Sequence, residues 1–267
     1  GMAAGDDIST WFDLSGNGRH AVAADGARPV LGMDGLKSKV SFNGTNQFMR
    51  SLKDLDLTAE STIFIVKRTD AMTEFSPGFA VESDSQGIYY GYYMHTEGGN
   101  SGRINIVHNR HDGDSKGWND AHSTWYYKNG TGPDLGNDTL ITITSNGSDV
   151  KFYDNGIEEV LIDYNDNPHT PEHADKYTIG KLGMGAEQLF LDGAISEIIV
   201  YNRVVSDDER QIMEAFLSKK WGLNTVDSDG DGVADNIDDF PFNPDESVDT
   251  DGDGIGNNED TDDNGDG

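Results

Sequence analysis

Apolar residues in the first two hundred positions fall in short blocks that either alternate with polar ones or run unbroken for four or five residues. Gly, Asn and Asp punctuate them. This is the rhythm of β-strands. It predicts strands near residues 39–42, 47–51, 61–68, 78–82, 87–94, 103–108 and 177–181. Asn43-Gly44, Asn146-Gly147 and Asn155-Gly156 are pairs that supply the positive φ angles of tight hairpins. On that basis 138–163 is read as a three-stranded meander, and 47–51 as the return strand of a hairpin. In 194–201 both alternating sets, Ala194, Ile198, Val200 and Ile195, Ile199, Tyr201, are apolar, so this strand is expected to be covered on two sides.

The period changes once. Ser206 and Glu209 stand three apart as a capping box. Ile212, Met213, Phe216, Leu217 and Trp221 then recur at helical spacing, and Gly222 can take the left-handed stop. A dozen or so strands closed by one helix predict an all-β, two-sheet sandwich. Trp11 and Phe12 are expected in its core.

Between His108 and Gly136 the periodicity fades over a stretch longer than an ordinary loop. It is rich in aromatic and polar residues: Asp112, Asp114, Trp118, Asn119, His122 and Trp125. Sugars present apolar C–H faces ringed by hydroxyls, so rings beside carboxylates and amides suit them. Two other roles fit the same residues. Each Trp can pin the loop to the sandwich, and Asp112 and Asp114 can hold a rim calcium ion.

Charge then divides the chain. Residues 227–267 hold 16 of the 49 acidic residues and no Lys or Arg, and the net charge is −30. Such a field excludes a nucleic-acid backbone or an anionic membrane surface as partner and attracts divalent cations. Within the tail, Asp227, Asp229, Asp231, Asp235 and Asp238 occupy positions 1, 3, 5, 9 and 12 of a loop with Gly232 at position 6 and the Val233 carbonyl at position 7. Asp249, Asp251, Asp253, Ile255, Asn257 and Asp260 repeat it 22 residues on. This is the oxygen set of a twelve-residue calcium loop. Asn257 replaces an acid, so the second site is expected to bind more weakly. The tail as a whole is expected to order with calcium, because its carboxylates otherwise repel one another.

Two resemblances follow from these motifs. Residues 11–21, WFDLSGNGRHA, and 40–50, VSFNGTNQFMR, with the closing strand and helix, resemble bacterial laminin G-like modules of the concanavalin A-like lectin/glucanase class over roughly residues 9–223, within a first domain read as 1–223. That resemblance implies a jelly-roll sandwich that binds polysaccharide or glycoconjugate, or contacts protein, in a secreted or cell-surface bacterial protein. Residues 224–267, with Phe240-Pro241 and Asn243-Pro244 between the loops, resemble thrombospondin type 3 repeats, which implies an irregular calcium-wrapped tail. A third partial copy, Asp262, Asn264 and Asp266, leads to the expectation of further domains in the same polypeptide.

Catalysis is not expected. The ExDxxE signature of hydrolases sharing this fold is missing; Glu82-Ser83-Asp84 lacks the second glutamate. His169-Thr170-Pro171-Glu172-His173 has Pro between its histidines, and His108, His111 and His122 are scattered. There is no cysteine, which removes disulfides and thiol chemistry, and no apolar run approaches the ~20 residues of a membrane span.

Overall fold

Residues 61–68 explain the architecture, since a strand with apolar residues on both faces needs a layer on each side. The computed structural model of the chain describes residues 2–55, 60–71, 75–83, 87–97, 101–108, 124–129, 135–146, 149–159, 162–163, 176–182 and 189–266. Its strands are β1 (Thr10–Trp11), β2 (Ala21–Val22), β3 (Val30–Asp34), β4 (Lys37–Asn43), β5 (Met49–Ser51) and β6 (Glu60–Thr69). They continue with β7 (Phe75–Ser83), β8 (Gly87–Glu97), β9 (Ser101–His108), β10 (Thr124–Asn129), β11 (Asp138–Asn146) and β12 (Val150–Asp154). The last are β13 (Ile157–Glu159), β14 (Ile162–Asp163), β15 (Lys176–Ile179), β16 (Lys181–Leu182), β17 (Leu189–Phe190) and β18 (Asp192–Tyr201), before helix α1 (Asp207–Trp221).

A nine-stranded sheet runs β1-β2-β5-β15-β7-β8-β9-β10-β14, and a seven-stranded sheet runs β13-β12-β11-β6-β18-β4-β3; a small ribbon joins β16 and β17. All pairings are antiparallel. Between the two large sheets lies the main core, with Ile63, Ile65, Ile141, Ile143, Phe152 and Ile195 from one side and Ala21, Met49, Phe79 and Ile179 from the other. The chain is a jelly-roll sandwich with a C-terminal helix.

The outer face of the seven-stranded sheet has its own core. Phe64, Val66 and Leu140 pack there with Val205, Leu217, Leu223 and Val226. Each fully buried side chain of this size contributes about 1.5–3 kcal/mol. The helix that covers them begins at Ser206, whose hydroxyl accepts the Glu209 amide at 3.2 Å while the Glu209 carboxylate accepts the Ser206 amide at 2.9 Å. It ends at left-handed Gly222 (φ 70°). Both caps are as the sequence predicts.

The buried stripe is so only in part: Leu217 is fully buried and Met213 and Trp221 pack on the same core. Arg210, Glu214, Leu217 and Ser218 face the sheet, whereas Ile212 and Phe216 are more than half exposed. Glu214 is fully buried; it accepts the Thr142 hydroxyl at 2.6 Å and pairs with Arg210, whose guanidinium lies 3.9 Å from the centre of the Tyr153 ring. A periodicity count that scores only apolar residues rotates this helix toward its exposed face, because two of the inward positions carry opposite charges that satisfy each other.

Four further expectations change. Asn43-Gly44 is not a hairpin: β4 pairs with β3 and β18, while β5 pairs with β2 and β15 in the other sheet. The Asn43 carboxamide oxygen accepts the amides of Thr45, Asn46 and Gln47 at 3.0, 3.2 and 3.3 Å, so the pair caps a crossing between sheets. The third meander strand also splits, with β13 on β12 and β14 on β10. A bulge between Ile195 and Glu197 reverses the alternation in β18, so Ile195 joins Ile198 and Val200 on the main core and Ile199 and Tyr201 face the helix. Trp11 packs on the core as expected, but Phe12 is 64% exposed and meets His20 edge-on.

Candidate metal sites

Local hydrogen bonding builds each tail loop before any ion is considered. In the first, the amides of Gly230 and Gly232 donate to the two oxygens of Asp227 at 2.8 and 3.0 Å; the Asp231 amide donates to Asp229 at 3.1 Å and the Val233 amide to Asp231 at 2.7 Å. In the second, Gly252 and Gly254 donate to Asp249 at 2.7 and 2.9 Å, Asp253 to Asp251 at 3.2 Å, and Ile255 to Asp253 at 2.8 Å. Position 6 is glycine in both because its φ is 94° and 91°. These turns fold the chain so that one oxygen from each of Asp227, Asp229 and Asp231 lies within 4.8 Å of the others, and likewise for Asp249, Asp251 and Asp253.

The carboxylate at position 12 completes the first loop. Asp238 is 1% exposed; one oxygen accepts the Phe240 amide at 2.7 Å, and the other is buried with no hydrogen-bond partner. Burial raises its pKa above the usual 3.8, and the charges of Asp231 and Asp229 push the same way. Asp229 is raised for the same two reasons, and its second oxygen is also buried without a partner. A desolvated carboxylate oxygen among like charges is costly unless a cation neutralises it. In the second loop Asp251 is raised as well, first by desolvation and then by Asp253, Asp260 and Asp249, and Asp260 accepts the Asp262 amide at 2.8 Å as Asp238 accepts that of Phe240.

Position 9 makes a contact that spacing alone does not give. Both oxygens of Asp235 are held by Ser228, from its amide and its hydroxyl, each at 2.7 Å. Asn257 does the same for Thr250: its oxygen accepts the amide at 3.0 Å and its nitrogen donates to the hydroxyl at 2.7 Å. Asp235 and Asn257 therefore fasten position 2 to position 9, and the change from acid to amide keeps that clasp. An Asp235→Asn substitution is expected to alter calcium affinity less than about threefold, against a loss of more than about tenfold for Asp231→Asn, as read by titration calorimetry. Equal losses in the two variants would return Asp235 to the ion.

Of the residues expected to meet a sugar, Asp112, Asp114, Trp118, Asn119 and His122 lie outside the described residues, as do His111 and the segment holding His169 and His173. Trp125 falls in β10, where the register aligns it with Val107; two residues on, Tyr127 aligns with Asn105 and Asn105 with Tyr93. That segment is thus a strand in part, hidden from pattern reading by its mixed polarity. Sequence reasoning also passed over Lys67, which lies 1% exposed in β6 with its pKa lowered by burial to about 7. A lysine next to an unbroken Ile-Phe-Ile-Val run was the available signal.

No protein-family model matches the chain, and no curated protein sequence matches it. Solved structures do. The chain is similar to a native heptameric SAP-like pentraxin from Limulus polyphemus, with 15% identity and a TM-score of 0.50 over 66% of this chain and 81% of that one. The shared fold is the jelly roll. The binding domain of botulinum neurotoxin serotype D shares it at 9% identity and TM-score 0.53, over 79% of this chain and 50% of the other. A Trypanosoma rangeli sialidase in complex with 2,3-difluorosialic acid does so at 15% identity and TM-score 0.52, over 82% and 32%. The chain thus spans half or less of the toxin and sialidase chains. Among the described residues no helix is long and apolar enough to cross a membrane.

Proposed function

We propose that the chain is a noncatalytic recognition module of a secreted or cell-surface bacterial protein, in which a jelly-roll sandwich binds polysaccharide or glycoconjugate and a calcium-stabilised repeat serves as a spacer. The observation that carries the calcium part is the buried, unpartnered oxygen of Asp238 beside Asp229 and Asp231. Carboxylates with no base among them suit a hard cation. Calcium would be held by Asp227, Asp229, Asp231, the Val233 carbonyl and Asp238, and in the second loop by Asp249, Asp251, Asp253, the Ile255 carbonyl and Asp260. Its contribution there is charge neutralisation, which turns a self-repelling segment into an ordered one.

The recognition part is supported by the fold and by the aromatic positions that β8, β9 and β10 bring into register, Tyr93 with Asn105 and Tyr127, and Trp125 beside them. A glycan array probed with the whole chain in calcium, repeated with Trp125→Ala, tests it. Specific hits that the variant loses at unchanged melting temperature support a sugar partner. An array without hits turns the reading toward a protein-contacting adhesion module, and reducing-sugar release from a polysaccharide would replace both with a hydrolase.

A further inference from the structure

Although the two cation loops repeat each other, they are attached to the sandwich unequally. The residue just before the first loop, Val226, is fully buried in the helix-side core with Phe64, Leu140 and Leu217; its counterpart before the second loop, Val248, is 49% exposed. The Val226 carbonyl accepts the amide of Asp235 at 2.8 Å, and buried Asp235 in turn clasps Ser228. One end of the first loop is thereby tied to the core. Its other shoulder is tied as well, since the Asn236 carboxamide donates to Asn224 at 2.9 Å, and the neighbouring Leu223 carbonyl accepts the hydroxyl of Ser218 in α1 at 3.0 Å.

Beneath these contacts lies the hairpin turn between β12 and β13. A Cβ on Gly156 would meet Val226 at 3.6 Å and the Glu214 carboxylate at 3.8 Å, so the core residue of the tail and the buried acid of the helix sit over the same turn. By contrast, the second loop is held by the first: the Asp239 amide donates to the Ser247 carbonyl at 3.2 Å, and Asp239 accepts the Asp249 amide at 3.1 Å.

We infer that the first cation loop belongs to the folding unit of the sandwich, so that a divalent cation on Asp227, Asp229, Asp231 and Asp238 stabilises the core beneath α1, whereas a cation in the second loop does not. The inference rests on the calcium reading above. Its physical content is linkage: a ligand that binds only the folded form of a cooperative unit raises the stability of all of that unit, and loop 1 cannot close without seating Val226.

The test uses the tryptophans. All four, at 11, 118, 125 and 221, precede the tail, so their fluorescence reports the melting of the sandwich alone. At calcium 100-fold above the dissociation constant the fluorescence transition of the whole chain is expected to rise by about 5–10 °C over that in excess chelator. Asp260→Asn should keep this rise and Asp238→Asn should lose most of it. Val226→Ala, which leaves every carboxylate in place, should still bind calcium by calorimetry but show a smaller rise. Calcium binding with no change in the fluorescence transition, or equal losses in Asp238→Asn and Asp260→Asn, overturns the inference while sparing the calcium reading. Absence of any calcium binding by calorimetry overturns both.

Discussion

Replacing Arg210 by methionine should cost the sandwich about 3–5 kcal/mol, because it strands a carboxylate in a core. Glu214 has no exposure, and among the described residues the Thr142 hydroxyl and the Arg210 guanidinium engage it. Methionine preserves much of the stem that packs on Tyr153 but none of the charge. Burial already raises the Glu214 pKa above its ordinary 4.5 despite both partners. A carboxyl whose folded pKa is raised binds more protons in the folded state than in the unfolded one. Its penalty is therefore absent in acid and grows as pH rises above the unfolded value. The loss in Arg210→Met should accordingly be larger at pH 8 than at pH 5. The double variant Arg210→Met with Glu214→Gln should recover most of it, since the amide still accepts from Thr142 and carries no charge. Urea denaturation at the two pH values measures all three. A single variant as stable as the parent at pH 8, or a double variant no better than the single one, would show that the pair is solvated rather than buried.

The same pair shows where the sequence is legible and where it is not. Strand content, both helix caps, two hairpins and the loop spacing of the tail could be read directly, because each is set by residues near in the chain. Ser206 and Glu209 need only each other, and Asp227 needs only the amides three and five residues on. What failed depends on partners far away. Asn43-Gly44 supplies a turn in either case, and only the sheet that β5 joins decides whether that turn closes a hairpin. The inward face of α1 is legible only at Met213, Leu217 and Trp221, because Arg210 is buried by virtue of Glu214, Thr142 and Tyr153, from the helix and two strands. A bulge in β18 cannot be seen where both faces are apolar. Likewise the spacing of Asp235 marks it as a ligand but does not show that it also clasps Ser228; the serine and threonine at position 2 of the two loops are the signal for that clasp. The close approach that admits β18 to the middle of its sheet was equally invisible.

That approach leads to the second large effect, Gly193→Ala. Gly193 is the second residue of β18 and pairs with Phe42 of β4 on one side and Thr69 of β6 on the other. A Cβ there would overlap the carbonyl oxygen of Arg68 and lie 3.0 Å from its carbon and 3.1 Å from the Thr69 Cα. All three are backbone atoms of a central strand, so no rotamer change makes room. Either β6 and β18 separate at this end or β18 shifts, and fully buried Leu191 and Ile195 on either side of the glycine move with it. Overpacking alone costs about 1–3 kcal/mol, and the lost ladder hydrogen bonds add to that. A loss of at least about 3 kcal/mol is expected, which lowers the melting temperature by roughly 6–12 °C for a domain of this size. Gly136→Ala is the control: with φ 82° but nothing within 4 Å, it carries only left-handed strain, about 1–2 kcal/mol. If differential scanning calorimetry finds Gly193→Ala no worse than Gly136→Ala, the strands do not meet as closely as described, and the register that seats β18 between β4 and β6 is wrong at that end.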